Sequence, residues 1–193
     1  MLKNPKDRRA VRTASQIKEV MLDFMEKKAI HEISVSELCK VCQINRATFY
    51  DHYRDVFDLV QDMESDILMQ LQELMELVKP EQTPAEEVSN LFFGFLEEHR
   101  HQMKLLLSGE RSWEFSQRLD AMIMPFFEQK VRQNYHIPDG KEHELQGTLQ
   151  FVATGYYRFF MQTIVSESKH STADASLCAQ LSDACLSSMF QIK

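Results

Sequence analysis

Apolar residues recur at three- and four-residue intervals along most of this 193-residue chain, the period of helices that bury one face. Ile17, Val20, Met21 and Phe24 form the first such stripe, and Thr13 with Gln16 has the spacing of a capping box at its start. Ser34 with Glu37 opens a second, short helix that carries Val35, Leu38 and Cys39 inward. Asn45 is placed to cap a third, with Thr48, Phe49 and Tyr53 behind it. Asp55, with Asp58 in the first turn, begins a long fourth through Leu59, Met63, Ile67, Leu71 and Met75, where carboxylates favour the positive end of the helix dipole.

The clearest break is Val78 to Pro84, "VKPEQTP". Beyond it Thr83, Pro84 and Glu86 combine an N-cap, a proline at the first helical position and a capping-box glutamate. Helices are expected over residues 85–107, 110–134, 141–167 and 173–191, separated by "SGE", "HIPDG" and "SESKHST". No strand-like alternation, internal repeat or low-complexity tract interrupts the pattern. The expected fold is all-α, with an N-terminal arm over 1–12, a domain over 13–60 whose fourth helix continues to about 78, and a second domain over 79–193.

Composition supports this reading: five glycines and five prolines are too few for a turn-rich fold. The net charge of −7 argues against a nucleic-acid partner only if it is spread evenly, and it is not. Residues 1–60 carry 11 Lys+Arg against 9 Asp+Glu, and the remainder carries 11 against 20. Lys3, Lys6, Arg8, Arg9 and Arg12 face only Asp7 within the first twelve residues, a basic arm on an acidic body. No signal peptide is read at the charged N-terminus, and the longest apolar runs, "LFFGFL" and "MIMPFF", are too short to span a bilayer. A cytoplasmic protein with four reduced cysteines is expected.

The second and third helices are separated by only "VCQI", Val41 to Ile44. Two short helices so joined cross steeply, and the second can enter a major groove. Arg46, Ala47, Thr48, Tyr50 and His52 are expected to face outward from "NRATFYDHY", while Phe49 and Tyr53 anchor the helix to the core. Arginine can bond guanine bidentately, threonine can reach a base edge or a thymine methyl, and Tyr and His can reach phosphates.

The stretch "SVSELCKVCQINRATFYDHYRDVFDLV" resembles the DNA-binding domain of TetR/AcrR transcriptional regulators over about Thr13 to Val60. "RATFYDHY" matches the family's recognition-helix pattern and carries most of the likeness; "LLLSGE" and "TGYYRFFMQTI" resemble a branch that includes dihydroxyacetone-kinase operon activators. The resemblance implies a three-helix helix-turn-helix domain followed by a helical regulatory and dimerisation domain. It implies a homodimer on a near-palindromic operator, a small-molecule effector in the C-terminal domain, and a dimeric bundle built by the last two helices. The DNA-contact set it implies is Ser34, Ser36, Asn45, Arg46, Ala47, Thr48, Tyr50, His52, Tyr53 and Arg54. Three positions depart from the pattern: Gln43 replaces the usual turn glycine, Val56 replaces a phosphate-binding lysine, and Asp51 would repel phosphate.

Other chemistry is sparse. Cys39 and Cys42 form a C-x-x-C, but with no second cysteine pair nearby they read as small core residues, and Cys178 and Cys185 as packing or interface residues. His99 and His101, two apart on a helix, do not face the same way. No metal, cofactor, nucleophile–base pair or phosphate-binding glycine loop is indicated, so an enzyme is not expected. Phe92, Phe95, Met103, Trp113, Met122, Phe126, Phe151 and Tyr156 are candidates to line an effector pocket. The helix over 141–167 is apolar on too many faces for one core, so Phe151, Tyr157 and Phe160, with Cys178, Leu181 and Cys185 on the last helix, are candidate dimer contacts. The expected function is a ligand-responsive repressor. A co-activator with weak DNA binding, or a helical protein-interaction module, are the alternatives.

Overall fold

The computed structural model describes residues 8–79, 82–109, 112–165 and 172–193. Its described residues form helices α1 (Arg8–Met25), α2 (Val35–Cys42), α3 (Arg46–His52), α4 (Val56–Leu77), α5 (Ala85–Glu98), α6 (Arg100–Ser108), α7 (Ser112–Asn134), α8 (Glu142–Val165) and α9 (Thr172–Met189). A single 3-10 turn, Ile30–Glu32, precedes α2, and two-residue strands β1 (Tyr135–His136) and β2 (Gln191–Ile192) pair antiparallel. The all-α expectation holds, and no described helix is long and apolar enough to cross a membrane.

Two compact units emerge. The first comprises residues up to Met69 together with Leu105–Phe115, and the second comprises Gln70–Lys104 and Ser116–Lys193. The division falls inside the continuous helix α4, whereas the sequence places it at the proline-containing break after Leu77. In the first unit Ile17 and Met21 of α1, Leu38 of α2, Phe49 of α3 and Leu59, Met63 and Ile67 of α4 are fully buried. In the second unit one cluster joins Val131, Tyr135, Leu145, Leu149, Leu186 and Phe190, and another joins Phe93, Ala175 and Cys178.

Helix α1 already includes Arg8, so Arg8, Arg9 and Arg12 lie on a helix and not in an arm, and Lys3 and Lys6 lie outside the described residues. "RRAVR" contains no helix breaker, and arginine and alanine are strong helix formers. The Thr13–Gln16 pair therefore sits within the helix, and Gln16 Nε2 instead donates to the Cys42 carbonyl at 3.2 Å.

The expected helix over 85–107 is two helices. His99 breaks it at φ −99°, ψ 14°, with its ring against Phe95 at 4.5 Å and Arg100 held by Glu97. Pro84 occupies the cap of α5 without a side-chain hydrogen bond, and the Thr83 carbonyl accepts from the buried Lys130 Nζ at 2.6 Å. The β1–β2 pair ties the end of α9 to the end of α7, and the Lys193 N–H donates to the Asn134 carbonyl at 2.9 Å.

Candidate nucleic-acid interface

Local capping shapes the helix pair. The Ser34 hydroxyl accepts from the Glu37 N–H and the Glu37 carboxylate accepts from the Ser34 N–H, closing both ends of a capping box on α2. Lys28 and Ser34 hold the Glu37 carboxyl down at about 2. Helix α2 runs two residues further than the Val41–Ile44 turn implied and stops at Gln43, which adopts the left-handed conformation at φ 54°, ψ 39°. Asn45 Oδ1 then accepts from the Thr48 N–H at 2.7 Å and starts α3.

Helix α3 is seven residues long, and its two faces divide cleanly. Arg46, Ala47 and Tyr50 are exposed, Thr48 is half-buried, and Asn45, Ser34 and Ser36 are exposed beside them. Phe49 is buried in the core and its ring meets those of Tyr50 and Tyr53 at 5.7 and 5.8 Å. His52 and Tyr53 do not belong with the exposed set: both are buried, at 8% and 4% exposure. The physical reason is helical phase, because residues three and four beyond Phe49 share its inward face. That spacing was available in the sequence and places His52 correctly.

Tyr53 lies at the end of α3, and its hydroxyl donates to Asp62 Oδ2 at 3.2 Å. Burial, reinforced by Asp62, pushes that hydroxyl's pKa far above its ordinary value. Lys18 of α1 reaches the same Asp62 oxygen at 2.7 Å and Asp66 Oδ2 at 2.5 Å. Burial alone would lower the Lys18 pKa, but the two carboxylates outweigh it and hold it raised. Sequence reasoning missed Lys18, Asp62 and Asp66. The i,i+4 spacing of the two aspartates on α4 was visible; their partner on α1, 44 to 48 residues away, was not.

Beside Gln43, the other two departures also have structural counterparts. Val56 is buried at the start of α4 and offers no charge, and Asp51 is exposed beside the candidate contact face. Arg54 is the exposed cation of that corner, yet its guanidinium bonds Asp58 Oδ1 at 2.8 Å while Asp58 Oδ2 accepts from the Arg54 N–H. An exposed pair of this kind is weak and can exchange for a phosphate.

The pocket candidates separate, and all but Trp113, which belongs to the first unit, lie in the second. Phe92 packs against Phe126 and Phe127, Phe127 against Tyr156, and Tyr156 against Phe93, with ring centroids 5.5–6.2 Å apart. The Tyr156 hydroxyl shares hydrogen bonds with Ser89 at 2.9 Å and Ser182 at 3.3 Å. Phe95 and Met103 are buried and Met122 is half-buried. Trp113 and Phe151 are corrected: at 71% and 70% exposure they line no enclosed cavity. Both are apolar side chains whose helical neighbours already fill the core, so apolar character alone misplaced them.

Among the interface candidates Phe151, Tyr157 and Leu181 are exposed, along with Leu177 and Met189. Cys185 is half-buried and, with Phe151, Gly147 and Met189, lines an open groove of about 410 Å³ between α8 and α9. Cys178 is corrected, being buried in the core with Phe93 and Ala175, and the Phe160 side chain lies outside the described residues. All four cysteines are free; burial pushes the Cys39, Cys42 and Cys178 thiols up, away from the reactive thiolate. Among the described residues no cluster of His, Cys, Asp and Glu is suited to a metal ion.

Comparison with known proteins adds a fold. No family model matches the chain. An uncharacterised HTH-type transcriptional regulator, YxbF of Bacillus subtilis (strain 168), is 41% identical over 58 residues, which is 30% of this chain and only 15% of that relative. The dihydroxyacetone kinase operon activator DhaS superposes with a TM-score of 0.56 at 17% identity, covering 93% of this chain and 97% of its own. A TetR/AcrR-type transcriptional regulator of Aquifex aeolicus VF5 superposes with a TM-score of 0.63 at 17% identity, covering 92% and 99%. With its capped helix pair, its long α4 and the helical unit that follows, this chain has the fold of the TetR/AcrR transcriptional regulators.

Proposed function

We propose that this chain is a DNA-binding transcriptional regulator that presents α3 to the major groove of a near-palindromic operator as a homodimer. The observation that carries the reading is the two-faced α3: Arg46, Ala47 and Tyr50 exposed, Phe49, His52 and Tyr53 buried, and Asn45 capping the start. A polar outer face that is rigidly backed suits base readout. The exposed Arg8, Arg9 and Arg12 on the first turns of α1 would add phosphate contacts. A second copy would cover the apolar side chains of Phe151, Tyr157, Leu177 and Leu181. The aromatic cluster of Phe92, Phe126 and Tyr156 is where an apolar effector would enter. Its binding would favour a dimer whose recognition helices no longer match the half-site spacing, provided the two states bind it with different affinity. That role would place the chain in the cytoplasm, with the DNA it reads.

The test is selection of duplexes by the full chain from a random library, followed by gel shift. Arg46→Ala is expected to weaken the selected operator by about 1–3 kcal/mol and relax preference at one position. Unchanged affinity in that variant removes the base-readout role.

Asp51, the buried Val56 and the Arg54–Asp58 pair favour a second reading, a co-activator that binds DNA weakly. The likeness to an operon activator, DhaS, points the same way. The sign of a reporter under the selected operator separates repression from activation.

A further inference from the structure

We propose that the Asp62 carboxylate is a positioning residue for the recognition helix, holding the end of α3 to α4 through Tyr53, with Lys18 of α1 as its brace. The inference rests on the DNA-binding reading above. Helix α3 has seven residues, too few to hold an orientation by its own hydrogen bonds. Burial of Phe49 keeps it on the core but is non-directional. Direction has to come from hydrogen bonds, and reading base edges tolerates only small errors in placement.

Tyr53 supplies that direction. Its N–H closes α3 on the Phe49 carbonyl at 2.9 Å, and its hydroxyl donates to Asp62 Oδ2 at 3.2 Å. The same oxygen takes Lys18 Nζ at 2.7 Å, so three helices meet on one atom, and Asp66 holds the ammonium from the next turn of α4. The carboxylates are about four-tenths exposed, yet Tyr53 is 4% exposed, so its hydroxyl cannot turn to bulk water without moving the helix end. None of these residues lies on the exposed face with Arg46, Ala47 and Tyr50.

Two variants of the full chain test this beside the wild type: Tyr53→Phe and Asp62→Asn. The measurements are affinity for the wild-type-selected operator, affinity for random duplex at low salt, and melting temperature. Tyr53→Phe leaves the charge unchanged and should weaken operator binding about tenfold, with random-duplex affinity held. Asp62→Asn makes the chain one charge less negative, so simple electrostatics predicts tighter binding everywhere. Positioning predicts the opposite sign on the operator alone. Operator affinity within about twofold of wild type in both variants overturns the proposal, as does an equal loss on operator and random duplex. A lower melting temperature with operator affinity kept identifies the cluster as structural only and also overturns it. If Asp62→Asn does not fold, Tyr53→Phe decides alone, since it deletes one hydroxyl. If the wild type itself binds no duplex, the DNA-binding reading has failed first, and the variants show nothing further to rescue.

Discussion

His52 is buried on the inner face of α3, and its Nδ1 has no hydrogen-bond partner among the described residues. Burial holds its pKa below the ordinary 6.5, against the pull of the Asp51 carboxylate. As pH falls, the unfolded chain takes up this proton before the folded one does. The stability that the neutral ring contributes is therefore complete above 6.5 and is lost as pH falls through the lower folded-state value. Urea unfolding at about pH 7.5 and about pH 5.5 should show a loss of stability in the wild type that shrinks in His52→Gln. An equal loss in both proteins would assign the pH dependence to other groups.

At the scale of elements, the turn between α2 and α3 turns on one residue. Gln43 has no structural need for its side chain here, being exposed, but holds a left-handed backbone that costs any residue with a Cβ about 1 kcal/mol or more. Gln43→Gly removes that strain and increases the entropy of the unfolded chain, so a net gain of roughly 0.5–1 kcal/mol is expected. The check is a higher urea midpoint with an unchanged slope. This turn, like the capping box of Ser34 and Glu37 and the cap at Asn45, was legible in the sequence because its determinants lie within four residues. The interruption at His99 was not, since neither glycine nor proline marks it and its partners are a ring and an ion pair formed only in the folded chain. The two-residue strands were equally hidden, because Tyr135 and Ile192 pair across 57 residues of sequence. His52 was misplaced for a simpler reason: polarity outweighed helical phase in reading a helix of seven residues.

At the scale of the whole molecule the question is what covers α8 and α9. Phe151 and Leu181 are 70% and 57% exposed, and neither is needed by the core of its own chain. Phe151→Glu should therefore leave the helical circular dichroism and melting of the isolated chain intact while placing a charge in any contact that face makes. Light scattering at micromolar concentration is expected to give a dimer for the wild type and a monomer near 22.6 kDa for the variant. Loss of the operator should accompany the monomer, since one short helix gains little specificity alone. A wild type that already scatters as a monomer removes both the dimer and the palindrome.

Trp113 is the chain's single tryptophan and stands 71% exposed at the start of α7. Its indole already meets water in the folded state, so its emission has little colour left to change when the chain unfolds. Fluorescence melts of this protein would be nearly silent, and a flat trace would be mistaken for extreme stability or for no fold at all. The same property makes it a quiet background lamp: a blue shift on adding any partner would report a molecule settling on that end of α7.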